Sequence, residues 1–468
     1  MKRILSSALL LFFLSTAFLT TACFRKKDES VDPNQVPPVT LTMYGLFDSE
    51  DVYLPMIQAY QQTHPNVTVL YKRFLDPDYY MDLIVNELAE GKGPDIFFLQ
   101  NSLLPKHYKK LTAAPDSVVN PEVFRSMFVD VTAKDLIIPN DQGVEKVFAL
   151  PLYVDTLALF YNKDHLEDAV PTRGKPGATW DEIKQDVIAL TKQDQSFERF
   201  ERAGIAMGRT DNLLRGFDIL LTLMLQFKVN LYDETLQTVA FKTDSNAMKA
   251  FDLFTSFALP SQRNYSWNKN LADANSPEKE IASFAAGKLS MVLGYSYLYD
   301  DIVTEINRRN RVGEKAISVN AIKVQEVPQV LDPATSIETR EVYASYFAPV
   351  VSRTSLHSQE AWEFLATMVE ESQLKNYFTL THRPSALRSL ITEQEKNPIY
   401  GVFASQVGYA ESFPMSNPKV YQTLFYAAVD SLLATARTDQ VIKTLAEQLQ
   451  TYIPSSGIKP TQVVQVVE

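Results

Sequence analysis

The sequence predicts an α/β protein built around more than one hydrophobic core, and three observations predict it. Between Val39 and Leu99 the apolar pattern switches between period 2 and period 3.6 in the order β-α-β-α-β, the signature of parallel strands joined by crossover helices. The segment Asp95-Ile96-Phe97-Phe98-Leu99 ends that run in an apolar strand, as expected of a sheet covered on both faces. The chain has 468 residues, 46% hydrophobic and 11% aromatic. That is globular composition at a length too great for one core, so two or three domains or lobes are expected.

The elements follow in order. Val39, Leu41 and Met43 alternate with Thr40, Thr42 and Tyr44, a strand with one buried face. Asp48-Ser49-Glu50 offers helix-start chemistry; Tyr53, Met56, Ile57 and Tyr60 then recur at helical spacing until His64-Pro65-Asn66 stops the helix. A second strand spans 67–71. Asp78 opens a second helix with Tyr80, Leu83, Ile84 and Leu88 on one face, broken by Gly91-Lys92-Gly93-Pro94 before the third strand. Further on, residues 157–161 form a strand closed by Asn162-Lys163-Asp164. Thr179-Trp180-Asp181-Glu182 is an N-cap with acidic first-turn residues, followed by a packed face of Trp180, Ile183, Val187 and Leu190. Phe284-Ala285-Ala286-Gly287-Lys288 ends a helix on a glycine, and 289–294 is a strand leading into the loop Tyr295-Ser296-Tyr297. Phe347 to Ser352 precedes a helix with the stripe Ala361, Phe364, Leu365 and Met368. From Val420 onward the pattern is mostly helical.

At the N-terminus, Lys2 and Arg3 precede an almost wholly apolar or small stretch, Ile4 to Thr20, closed by Ala22-Cys23. This is the layout of a secretory signal. It resembles a bacterial lipoprotein signal, which implies that Cys23, the only cysteine, is lipidated and becomes the mature N-terminus. Thr20 stands where that signal prefers leucine; an uncleaved anchor is the alternative. Residues 1–23 are thus the signal peptide and 24–38, charged and proline-bearing, a flexible tether. No later stretch is long and apolar enough to span a bilayer. The formal net charge is −11, against nucleic-acid binding, which requires a basic surface.

Read together, these segments resemble the extracellular solute-binding proteins of ABC importers, the group that includes maltose-binding protein. The resemblance is carried, in order, by His64-Pro65-Asn66-Val67-Thr68-Val69, Glu90-Gly91-Lys92-Gly93-Pro94-Asp95-Ile96, Ala149-Leu150-Pro151 with Tyr161-Asn162-Lys163-Asp164, Thr179-Trp180-Asp181-Glu182, Phe284-Ala285-Ala286-Gly287-Lys288 with Met291-Val292-Leu293-Gly294, and Ala361-Trp362-Glu363-Phe364-Leu365. It implies a two-lobed periplasmic-binding-protein-like fold with discontinuous lobes, a hinge and a ligand cleft between the lobes. The expected lobes are 39–153 with about 295–350, and 154–294 with about 351–468. Also implied are a small-molecule solute, ABC permease subunits as partners, a monomer, and a place in the cell envelope. The lipid would hold it to the outer face of the cytoplasmic membrane, or it would be periplasmic where an outer membrane exists.

In open α/β sheets ligands sit beyond the carboxyl ends of the strands. This places Asp48, after the first strand, beside Gln100, Asn101 and Ser102, after the third. By position in the family, Tyr295 and Tyr297 follow an equivalent strand, and Tyr153 and Asp155 lie near the passage between lobes. Carbohydrate recognition combines flat aromatics for ring faces with Asp, Asn, Gln or Arg for hydroxyl pairs. Tyr44, Trp267, Tyr295 and Tyr297 are candidates for the first, and Asp48, Gln100, Asp155 and Arg383 for the second. Trp267 is singled out because it lies in the polar stretch Asn264-Tyr265-Ser266-Trp267-Asn268. Trp180 and Trp362 fall on helical apolar stripes and read as packing residues; Asp95 reads as fixing a turn.

Catalytic patterns fit poorly. Gly294-Tyr295-Ser296-Tyr297-Leu298 lacks the second glycine of a nucleophile elbow, and Ala286-Gly287-Lys288-Leu289-Ser290 lacks the residues of a phosphate loop. The five histidines have no metal-ligand spacing. No catalytic residue, metal site or cofactor is assigned. The remaining alternatives are a secreted glycan hydrolase, an adhesion or peptidoglycan-associated protein, and a binding protein for a polyamine, metal chelate or peptide.

Overall fold

The computed structural model describes residues 37–140, 142–194, 199–335 and 339–453. The signal segment, Cys23 and residues 24–36 of the tether lie outside the described residues.

The first sheet contains β1 (Val39–Leu46), β2 (Val67–Phe74) and β3 (Ile96–Gln100), connected by helices α1 (Glu50–Thr63) and α2 (Pro77–Ala89). Its strand order is Phe347–Val351, β3, β1, β2, with β1 parallel to both neighbours and Phe347–Val351 antiparallel to β3. Leu41 and Met43 on one face of β1 are fully buried, and so is almost all of β3, because helices cover both faces. Tyr53, Met56, Ile57 and Tyr60 of α1 face inward, against helices Ser358–Met368 and Glu371–Thr381. The second helix starts slightly earlier than its sequence suggests: Asp76 accepts the Asp78 and Tyr79 N–H groups (2.9 and 3.1 Å), with Pro77 at the first helical position. Asp95 does fix the entry to β3, accepting from the Thr42 N–H and hydroxyl (2.8 and 2.9 Å) and from Ser355 (2.6 Å).

The second sheet runs Ile322–Gln325, Ala158–Asn162, Leu289–Gly294, Phe200–Ile205, Lys192–Gln193. Only Leu289–Gly294 and Phe200–Ile205 pair in parallel. The helix Trp180–Leu190 opens with a full capping box between Thr179 and Glu182, and Trp180 is buried with its Nε1–H on Gln226 Oε1 at 2.8 Å. Gly287 (φ 73°) ends the helix Lys279–Ala285 in the left-handed region. Trp362 is likewise buried.

Sheet membership divides the chain differently from the expected boundaries at 295 and 351. Residues 298–325 stay with the second sheet, through the packing of helix Leu298–Arg311 on Lys279–Ala285 and the pairing of Ile322–Gln325. Strand Phe347–Val351 and helices Ser358–Met368 and Glu371–Thr381 belong with the first. The final helices Pro418–Leu433 and Thr438–Gln450 return to the second, packing on helix Ser245–Ser256. Three passages therefore connect the sheets, and they run side by side. Thr156 bridges Ala344, the Ser345 N–H donates to the Asp155 carbonyl (3.1 Å), and Val342–Tyr343 pairs in parallel with Ala410–Glu411. Among the described residues no helix is long and apolar enough to cross a membrane.

Candidate functional site

A cavity of about 860 Å³ opens where the carboxyl ends of β1, β3 and Leu289–Gly294 face the crossing segments. Phe47 and Gln100 extend into its wall from the first sheet, Tyr295 and Tyr297 from the second, and Tyr153 and Asp155 from the passage between them. The placement follows from topology, because loops after parallel strands leave backbone and side chains free of the ladder there. Phe47 holds a positive φ (67°), a position that disfavours side chains. Its N–H on the Phe74 carbonyl and its carbonyl on Arg73 Nε, both at 2.8 Å, keep it there, edge-on to Phe347.

Asp155 is buried and accepts the Ser296 N–H (3.3 Å) and hydroxyl (3.1 Å). Burial pushes its carboxyl up to about 6, against the opposing pull of the Arg383 guanidinium, the Ser296 bonds and Arg215. Tyr153 stacks on Tyr377 (centroids 6.0 Å, 20°), carries the Arg383 guanidinium 4.8 Å from its ring centre, and accepts the Phe347 N–H at 3.3 Å. Arg383 itself donates through Nη1 to both Asp48 oxygens (2.8 Å each) and to the Tyr377 hydroxyl (2.9 Å). Across the cavity, Arg215 donates to the Tyr297 hydroxyl and lies 5.2 and 5.4 Å from the Tyr295 and Tyr297 ring centres, with Asp218 at 3.8 Å. The result is a pocket with aromatic faces and fixed charged groups, able to take up a polar ring by stacking and paired hydrogen bonds.

Of the residues singled out in the sequence, Gln100, Tyr153, Asp155, Tyr295, Tyr297 and Arg383 line this cavity. Five do not. The Asp48 carboxylate is used up by Arg383 and by the Tyr53 and Tyr377 hydroxyls (3.0 Å each), so it holds Arg383 in place. Asn101 and Ser102 turn inward in a 3₁₀ turn: Asn101 bridges Asp135 (2.9 Å) and the Tyr346 N–H (3.3 Å), while Ser102 is buried. Tyr44 lies back from the strand end, against Phe74 and under the Lys72 ammonium. Trp267 is a core residue with no exposed surface, its Nε1–H on Asn212 Oδ1 at 2.9 Å. The polar stretch around it is tucked in: Ser266 accepts the Gly204 and Ile205 N–H groups (2.7 and 2.9 Å) at the end of a strand.

Sequence reading missed Arg215, Phe217, Asp218, Tyr343, Ser345 and Phe347. The first three sit at the start of helix Gly216–Gln226, directly after the loop that follows strand Phe200–Ile205; the charged pair at the head of an apolar run was the available signal. A second cavity of about 860 Å³ lies along helices Trp180–Leu190 and Ser245–Ser256. Its aromatic lining is Trp180, whose indole N–H is bonded to Gln226, and Phe227. Among the described residues no group of three or more His, Cys, Asp and Glu is placed to hold a metal ion.

A family model described as bacterial extracellular solute-binding protein matches residues 48–375. Among solved structures, the sugar-binding protein MalE from Xanthomonas citri superposes with a TM-score of 0.69 at 16% identity, covering 88% of this chain and 97% of its own. An ABC transporter solute-binding protein from Thermotoga lettingae, bound with α-D-tagatose, gives 0.63 at 18% identity, covering 88% and 99%. The cyclic α-maltosyl-1,6-maltose binding protein from Arthrobacter globiformis gives 0.66 at 16%, covering 89% and 99%. The two-lobed α/β architecture is common to all of them.

Proposed function

The chain belongs to the bacterial extracellular solute-binding proteins, the binding components of ABC importers and not enzymes, and on that premise we propose that it captures a mono- or oligosaccharide between its two sheets. The observation that carries the reading is the meeting of the Tyr153, Tyr295, Tyr297 and Phe347 rings with Asp155, Arg215, Arg383 and Gln100 in one cavity. Rings supply the faces on which sugar C–H groups pack, and the fixed charges supply hydroxyl partners. That three structural neighbours are named for sugars supports the same class.

The mechanism is closure about the three side-by-side passages. A solute touching Tyr153 and Arg383 on one side and Arg215, Tyr295 and Tyr297 on the other favours the closed form by its differential contacts. The importer's permease subunits then read closed against open. Cys23 carries the lipid that holds a monomer at the cell envelope, and residues 24–38 give it reach.

The test is a thermal-shift screen followed by calorimetry, with maltose, maltotetraose, tagatose and mannobiose set against a polyamine, a metal chelate and a peptide. A native-state ligand at about 100 times its Kd stabilises by about 2.7 kcal/mol, and Tyr295→Ala is expected to abolish the sugar response. A response confined to the non-sugar solutes would sink the proposal.

A further inference from the structure

Every strongly placed cation of the cavity except those on one short segment has an acidic partner. Arg383 pairs with Asp48 at 2.8 Å, Arg215 with Asp218 at 3.8 Å, and Lys419 with Asp78, with Asp82 also in electrostatic range of Lys419. Lys106 and Lys110, both exposed and both lining the cavity, have no carboxylate within 4.0 Å among the described residues. Between them sits His107, which is 7% exposed and also lines the cavity. Its Nδ1 lies 3.4 Å from Lys110 Nζ. An ammonium only donates, so His107 Nδ1 accepts, and the ring proton is on Nε2. That Nε2–H has no partner among the described residues. Burial first, then Lys110 and Lys106, push the His107 ring down to about 4, so it is neutral at pH 7 and stays in this tautomer. Burial and Lys110 lower Lys106 as well. The segment thus holds two ammonium groups that repel one another and a neutral N–H donor beside them, with no carboxylate among the described residues in ion-pair contact with either ammonium.

The geometry points to an anion-recognition subsite formed by Lys106, His107 and Lys110 at the rim of the cavity, so that the captured solute is an acidic saccharide. The inference rests on the saccharide reading and narrows it. The shared chemistry is an oxyanion, whether a uronate carboxylate, a sulfate ester or a phosphate ester. Such a group relieves the repulsion between the two exposed ammonium groups and gains charge-assisted hydrogen bonds from them beside the buried His107 ring. The neutral part of the solute would lie deeper, against Tyr153, Tyr295 and Tyr297.

The experiment is calorimetric titration of the full chain at low ionic strength with matched neutral and acidic ligands. The arms are maltotriose against trigalacturonate, and neutral disaccharides against a sulfated disaccharide and a sugar phosphate. Each is repeated on the Lys106→Gln/Lys110→Gln double variant, whose folding is checked by its melting temperature. One acidic ligand is expected to bind about tenfold or more tightly than its neutral match, with the advantage falling as salt rises and disappearing in the double variant, which keeps its neutral-sugar affinity. Equal affinity for neutral and acidic sugars, or an acidic preference that survives the double substitution, would overturn the subsite and leave the saccharide reading standing. Binding of inorganic sulfate or a dicarboxylate that needs both lysines, with no saccharide bound, would instead overturn the saccharide reading and keep the subsite.

Discussion

Asp155→Asn separates the two things Asp155 does. Its carboxyl ordinarily titrates at 3.8 and is raised to about 6 in the folded chain, chiefly by burial. Between those values the folded protein binds the proton and the unfolded chain does not. The stabilisation this provides is fully present below 3.8 and is lost as pH rises through 6. At about 1.4 kcal/mol per tenfold in proton affinity, the interval is worth about 3 kcal/mol. An asparagine keeps an acceptor for the Ser296 N–H and has no proton to lose, so its contribution is flat with pH. Urea unfolding of both proteins at pH 4 and pH 7.5 measures this. The stability of Asp155→Asn relative to the unsubstituted protein is expected to rise by about 2–3 kcal/mol between the two pH values. The same substitution is expected to weaken saccharide binding, because a charged acceptor facing the cavity has become a neutral amide. A stability difference that stayed constant with pH would refute the burial argument, whatever happened to binding.

Three further outcomes follow from side-chain contacts away from Asp155. Trp267→Ala should lower unfolding stability by about 3–5 kcal/mol by leaving a cavity and orphaning Asn212, with the folded fraction binding saccharide unchanged in calorimetry. Arg383→Met strands the Asp48 carboxylate, and about 3–5 kcal/mol should be lost in urea unfolding; Asp48→Asn in the same chain should restore part of it. Thr179→Ala removes the capping box and should cost about 1 kcal/mol in the same assay, with no change in ligand affinity.

The first sheet was legible in the sequence because its elements alternate in period: β1 shows its buried Leu41 and Met43, and α1 its inward Tyr53, Met56, Ile57 and Tyr60. The rule that sites collect at the carboxyl ends of strands pointed to Gln100, and position in the resembled family pointed to Tyr295 and Tyr297; all three line the cavity. Helix Gly216–Gln226 was not legible, since ten of its eleven residues are buried and an all-round apolar helix has no stripe to read. Its N-cap Arg215 and its first-turn Asp218 were missed with it. Trp267 misled because polar neighbours are usually exposed, whereas here Ser266 and Asn212 spend their polarity on buried backbone and on the indole. The sheet that each later strand joins was not legible for a related reason. Neither Ile322–Gln325 nor Phe347–Val351 carries a local mark of its sheet, and only pairing across the chain decides which sheet each one joins.

The most direct measurement is a crystal structure of the protein with whichever saccharide raises its melting temperature. The sugar ring is expected to pack on Tyr153, Tyr295 or Tyr297, with hydroxyls on Asp155 and Arg383 and the two sheets drawn together over it. A sugar seated instead against helices Trp180–Leu190 and Ser245–Ser256, with the cavity at the strand ends empty, would contradict it.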